Sequence, residues 1–219
     1  MSLDYKKREV CALCLSNDIK KVINFGKTPL ANSYLIKENE KSEIYPLTLS
    51  LCRNCGHLQL NEIVNPQKMF SNYFYVSGTS KVLINHFKDY ASKIIDKFKL
   101  NKKDKILDIA CNDGTFLQQF INKGYTNVIG VEPAKNLRKI NKKIGIDINT
   151  TFFDFPTSKK LKKKYNNIKI ITANNVCAHI PSINNFVKGI ENILNEKSIF
   201  IFEVSYLGDF ETAANIKNL

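Results

Sequence analysis

The 219-residue sequence has no uninterrupted apolar run of the roughly 18 residues that a membrane-spanning helix needs, so no span is expected. No apolar stretch follows the charged opening Met1–Arg8, so no secretory signal is read and a cytoplasmic location is expected. The Gly-x-Gly-x-x-Gly fingerprint of pyrophosphate-bound dinucleotides is also missing. Acidic residues are scarce, 20 against 33 Lys and Arg, which leaves a net charge of +13. Such an excess attracts polyanions and keeps nucleic acid in view. The lysines are spread along the chain, however, and Asn and Ile are abundant too, so a general compositional bias is the favoured explanation. The densest run, Lys159 to Lys164, is broken only by Leu161. With Tyr165 four residues beyond Leu161, it reads as a helix with a solvated basic face. The 43% of apolar residues is enough for a packed core, and the length suits a large domain with a small one.

The six cysteines are unevenly placed. Four form the pairs Cys11-Ala-Leu-Cys14 and Cys52-Arg-Asn-Cys55. Two intervening residues let both thiolates of a pair reach one ion from a tight turn, and Gly56 supplies the backbone freedom that such a turn needs. In a reducing compartment the pairs read as ligands of one structural zinc ion, closed by four thiolates. The alternative is a set of free buried thiols, and His57 is a possible substitute ligand. The 37 residues between the pairs exceed ordinary ribbon spacing and imply an inserted sub-structure, with 29–35 a candidate. Tyr45 to Leu51 alternates like a strand leading into the second pair.

From about residue 100 the pattern alternates short apolar strands with amphipathic helices. Strands are expected at 105–109, 127–131, 146–150, 168–173 and 198–204. Helices follow Gly114, run through Leu137, Ile140 and Ile144, and start after Ser182 as a cap. Such alternation implies an α/β Rossmann-like doubly wound parallel sheet, which binds ligands beyond the carboxyl ends of its central strands.

The loop after the first strand of this region reads Asp108-Ile-Ala110-Cys-Asn112-Asp-Gly114. Its small residues allow a ligand close to the backbone. Glu132, eighteen residues past Gly114, ends the next strand, where a carboxylate suits the two hydroxyls of a ribose. NAD would share that acid, but Asp108 would repel a pyrophosphate and favours a cationic ligand. S-adenosylmethionine, with its ammonium and sulfonium, fits. The remaining alternative is a Rossmann-like domain without a ligand.

Taken together, the two cysteine pairs, PLANSYL, YPLTLSLCRNCGHLQL, YFYVSGTS, LDIACNDGTFL, GVEP and ITANNVCAHI resemble the sugar C-methyltransferase family. Its members carry a zinc-binding domain before a methyltransferase core and methylate carbon beside the keto group of a nucleotide-linked deoxysugar. The resemblance implies zinc-binding residues 1–68, a helical and aromatic connector 69–99, and a cofactor-binding core 100–219. It puts Ala110, Asn112 and Gly114 in the small positions of the cofactor loop, Glu132 on the ribose and Asn174 beside the cofactor. Family members continue into a Tyr-x-Glu-His segment and a further domain that helps to hold the nucleotide sugar. The tail from Gly208 to Leu219 has neither His nor Tyr. An incomplete sheet is therefore expected, with an exposed edge open to self-association or to a second polypeptide.

Methylation at carbon needs a base. His179 follows the fourth strand of the core, and histidine is the residue type suited to base work near neutral pH, or else it is a helix-capping histidine. Tyr75, in the Tyr73-Phe74-Tyr75 segment, either orients the acceptor or packs at a domain junction. His86 reads as a helix-surface residue, and Cys111 and Cys177 as small packing residues. Two rival readings remain: an RNA-modifying methyltransferase, and a catalytically inactive cofactor-binding remnant.

Overall fold

A computed structural model describes residues 4–35, 37–206 and 208. Most of the tail in which the Tyr-x-Glu-His segment was sought lies outside the described residues. Strand β1 (Tyr5–Lys7) pairs antiparallel with a distant strand that closes the N-terminal region. Strands β2 (Ile19–Pro29), β3 (Ile44–Cys52) and β4 (Leu58–Leu60) form an antiparallel sheet in that order, and β5 (Glu62–Val64) is the partner of β1. The alternation read at 45–51 is a strand, but its second half buries the polar set. Thr48, Ser50 and Cys52 point inward, whereas Leu51 is exposed. Because successive side chains face opposite ways, Cys52, committed to the cysteine cluster, fixes the parity of its neighbours. The candidate insert at 29–35 is a turn after β2, with Asn32 left-handed at φ 59°.

A connector follows. Helix α1 (Pro66–Phe70) begins with Pro at its first turn and Asn65 as cap, the carboxamide oxygen accepting from Gln67 N. Helix α2 (Lys81–Phe98) is capped by Ser80, whose hydroxyl accepts from Leu83 N, and it buries Phe87, Ala91 and Ile94. His86 lies on its exposed side, with Nε2 2.7 Å from a carboxylate oxygen of Glu203.

The core alternates as expected: β6 (Lys105–Ile109), α3 (Thr115–Asn122), β7 (Val128–Val131), α4 (Arg138–Lys143), β8 (Asp147–Asn149), α5 (Phe155–Lys164), β9 (Ile168–Asn174), α6 (Ile183–Ile193) and β10 (Ile199–Glu203). All five strands are parallel, in the order β10-β9-β6-β7-β8. The inner strands are nearly continuous apolar runs because helices cover both faces. Ile106 and Ile170 pack with Phe87, Phe116 and Phe120 on one face. Leu107, Ile109, Ile171 and Ala173 pack with Leu161, Phe186 and Ile190 on the other. Ser182 stands at the cap position of α6, but its side chain makes no capping hydrogen bond. β10 is paired on one side only among the described residues, and Phe202 on it is exposed. No helix among the described residues is long and apolar enough to cross a membrane.

The order reverses between β6 and β9, where two adjacent strands send their following helices to opposite faces. The crevice this leaves at the carboxyl ends is where doubly wound sheets bind ligands.

Candidate cofactor site and zinc centre

The two cysteine turns meet. The sulfurs of Cys11, Cys14, Cys52 and Cys55 all lie within 4.8 Å of one another, with Cys11–Cys55 at 3.7 Å and Cys14–Cys52 at 3.6 Å. Four thiolates at the usual zinc–sulfur length of about 2.3 Å stand about 3.8 Å apart at the corners of a tetrahedron, so the cluster fits a zinc ion. His57 is not part of this group. Gly56 has φ +73° with no atom within 4 Å of a Cβ position, so its need is conformational. The first turn also touches the core. Asn184 Nδ2, on α6, donates to the carbonyls of Ala12 and Leu13 at 3.4 and 3.2 Å, and Arg8 donates to the carbonyl of Pro181 at 2.9 Å.

A cavity of about 670 Å³ lies over the carboxyl ends of β6, β7 and β9. Ala110 and Asn112 line it from the loop after β6, Glu132 from the end of β7, and Asn174 and His179 from the end of β9 and the turn beyond it. Tyr75 lines it from the connector. Sequence reading found neither Asn32 nor Phe70 nor Phe152, which also line it, because nothing in the pattern links them to strand ends.

Glu132 is 5% exposed, and each of its oxygens is held by a backbone N–H: Oε2 by Asn112 at 2.9 Å and Oε1 by Ala134 at 2.8 Å. Burial raises its pKa, and those two bonds oppose the rise. The carboxylate is thus aimed before any ligand arrives. Asn174 is different. Both polar atoms of its carboxamide are buried without a partner in the cavity wall. A buried amide left bare costs about 1–3 kcal/mol.

The loop after β6 departs from the simple reading of small residues under a ligand. Ala110 and Asn112 are left-handed, at φ 55° and 53°. Gly114 does not line the cavity. A Cβ there would lie 2.3 Å from Ile146 Cδ1 and 2.8 Å from Asn141 Oδ1, so close packing and φ +81° demand the glycine. Asn112 turns its side chain to the connector, accepting from Ser77 N and donating to the carbonyl of Tyr75, both at 3.0 Å. Asp108 lies behind the loop rather than on the cavity wall. It is 3% exposed and accepts from the Thr172 hydroxyl at 2.6 Å. Burial pushes its pKa up to about 7, opposed by the Thr172 bond and helped by the charge of Glu132. Burial likewise raises the thiols of Cys111 and Cys177, which keeps them protonated.

A switch-point crevice with a buried acid after its second strand is the place where doubly wound α/β folds hold nucleoside cofactors. Residues 83–217 match the family described as "Methyltransferase domain", which is more than half of the chain, and the chain belongs to that family. Residues 11–70 match the family described as "Putative zinc binding domain". The C-methyltransferase NovU of Streptomyces niveus is 27% identical over 199 residues, which are 90% of this chain and 47% of that protein. The chain therefore spans about half the length of this curated relative. An S-adenosylmethionine-dependent methyltransferase from Anabaena variabilis is similar with a TM-score of 0.48 and 17% identity, over 58% of this chain and 56% of that one. Another from Archaeoglobus fulgidus has a TM-score of 0.47 and 19% identity, over 57% and 54%.

Proposed function

We propose that this chain works as an S-adenosylmethionine-dependent methyltransferase that acts at carbon, beside the keto group of a nucleotide-linked deoxysugar. The observation that carries the reading is a single cavity lined both by Glu132 and Asn174 and by Tyr75 and His179. The relative NovU is itself a C-methyltransferase. In this reading the chain has a zinc domain to residue 68, a connector to 99 and the catalytic core beyond it, and works in the cytoplasm.

S-adenosylmethionine, when bound, supplies a methyl group on a positively charged sulfur that is already electrophilic. The residues do the rest. Glu132 accepts from the ribose hydroxyls. Asn174 satisfies its amide on the cofactor, and Ala110 leaves the loop backbone open to it. Asp108, behind the loop, is held by the Thr172 hydroxyl and does not reach the cavity wall. His179 takes the proton from the carbon beside the ketone, and Tyr75 orients the acceptor. No Lys or Arg among the described residues lines the cavity. The described wall therefore offers no fixed cation to a phosphate. This disfavours the RNA-modifying reading, since the +13 charge lies elsewhere.

The test is transfer of labelled methyl groups to a panel of keto-deoxysugar nucleotides and to bulk RNA. The expected product carries the label on carbon, and His179→Gln lowers kcat by about 10²–10⁴, the range for a lost general base. Label recovered on RNA, or on oxygen or nitrogen of the sugar, overturns the reading.

A further inference from the structure

Residues 72–76 of the connector belong to no helix or strand, yet Tyr73 and Tyr75 line the cavity. Backbone groups without a ladder need other partners, and here asparagine side chains from the two cofactor loops supply them. Asn136 Oδ1 accepts from Tyr73 N at 3.1 Å, and its Nδ2 donates to the Tyr73 carbonyl at 2.9 Å. Asn112 does the same for the Ser77 N–H and the Tyr75 carbonyl. Asp113 Oδ2 accepts from Gly78 N at 2.9 Å, and Lys135 N donates to the Ser71 carbonyl at 3.0 Å. From the other side, Asn32 Nδ2 donates to the Tyr73 hydroxyl at 3.1 Å.

The two asparagines share an origin. Each Glu132 oxygen holds the backbone at or just before one of them: Oε2 binds Asn112 N, and Oε1 binds Ala134 N, two residues from Asn136. The carbonyl of Asn112 is fixed as well, by Asn141 Nδ2 at 2.7 Å. A ligand on Glu132 therefore braces both clamps at once, and the clamps carry the aromatic wall.

We propose that Asn136 and Asn112 are positioning residues that make the Tyr73–Tyr75 wall of the acceptor site depend on an occupied cofactor loop. The inference rests on the reading that Glu132 holds the cofactor and that this wall faces the acceptor. It biases the order of binding, because the wall that the acceptor meets is firmer once the cofactor is in place.

The experiment is amide hydrogen exchange of the whole chain with and without S-adenosylhomocysteine, beside calorimetric titration of the same ligand. In the unmodified protein, bound ligand should slow exchange at Tyr73, Ser77 and Gly78 by about tenfold or more, as local opening is suppressed. Asn136→Ala should abolish the slowing at Tyr73 while Gly78, held by Asp113, keeps its own. Its affinity for the ligand should change by less than about threefold, because Asn136 is not expected to touch the ligand. Asn136→Asp, which still accepts from Tyr73 N, should restore the effect in large part. Asn112→Ala should abolish the slowing at Ser77. A merely structural role would change exchange equally with and without ligand, and that result overturns the proposal. So does ligand binding that leaves residues 73–78 unaltered, or full slowing at Tyr73 in Asn136→Ala. Absence of any binding to the unmodified protein overturns the cofactor reading, and the inference falls with it.

Discussion

Asn174 and Glu132 line the same cavity with opposite histories of satisfaction, and that difference sets the sign of what each variant does. The Asn174 amide has no partner among the described residues, so it weakens the unliganded fold. Asn174→Ala should raise the stability of ligand-free protein by roughly 1 kcal/mol, while weakening S-adenosylhomocysteine binding tenfold or more. Thermal unfolding and calorimetry on the same variant check both signs. Loss of stability without ligand would contradict the assignment. Glu132 is already bonded to two N–H groups, so Glu132→Ala should lose on both counts. Binding should weaken by about 1.5–3 kcal/mol, the scale of a hydrogen bond to a charged group. Asp108 gives a pH dependence. Its carboxyl titrates near 3.8 when unfolded and about 7 when folded, so between those values the folded state holds a proton that the unfolded state lacks. Stability from this group is full below about pH 4, falls as pH rises to 7, and is then flat. Asp108→Asn keeps an acceptor for Thr172 and should flatten that slope, measured as denaturation midpoints from pH 4 to 8.

At the level of elements, legibility followed burial. The three inner core strands were readable to within a residue or two because parallel strands covered on both faces are written as apolar runs, whereas the edge strand β8, Asp-Ile-Asn, was placed by the alternation of strands and helices around it. β2 was not readable, since nearly all of Ile19–Pro29 is exposed and no alternation marks it. β3 was readable as a strand but not by its buried face, because a metal ligand rather than hydrophobicity sets its parity. In the site, the cysteine cluster was legible from spacing, and so was the position of Glu132 at the end of β7 on the cavity wall. The side-chain direction of Asp108 was not, as one residue of register separates the cavity from the core. Asn136 carried no signal, since an asparagine that binds backbone looks like any asparagine in a loop. Gly114, read as room for a ligand, is instead room for Ile146. Gly114→Ala should cost about 2–4 kcal/mol, combining a left-handed alanine with an overpacked contact at the start of α3. Chemical denaturation measures it, and a loss under 1 kcal/mol would show that the loop relaxes easily.

The whole molecule is a zinc-binding sheet set against a sheet-and-helix core, with contacts on both sides of the cavity. Zinc binding of this kind contributes roughly 10–16 kcal/mol in small zinc modules, so the N-terminal sheet should not survive without the metal. A strong chelator should unfold residues 11–60 while the core stays folded, seen as exchange lost in the first and kept in β6, β7 and β9. Exchange near Pro181 and Asn184 should also quicken, because the first cysteine turn docks there. Retained protection at 11–60 after metal removal would contradict a structural zinc. That docking has a consequence for tolerance to sequence change. Asn184 reaches Ala12 and Leu13 only through their carbonyls, and Arg8 reaches Pro181 the same way. Every residue type offers that oxygen. The hydrogen bonds across the joint therefore do not depend on which side chains stand at 12 and 13, whereas they do depend on Asn184 and Arg8. The positions that look most like an interface are the interchangeable ones, and the fidelity of the joint is vested in two residues that no motif marks.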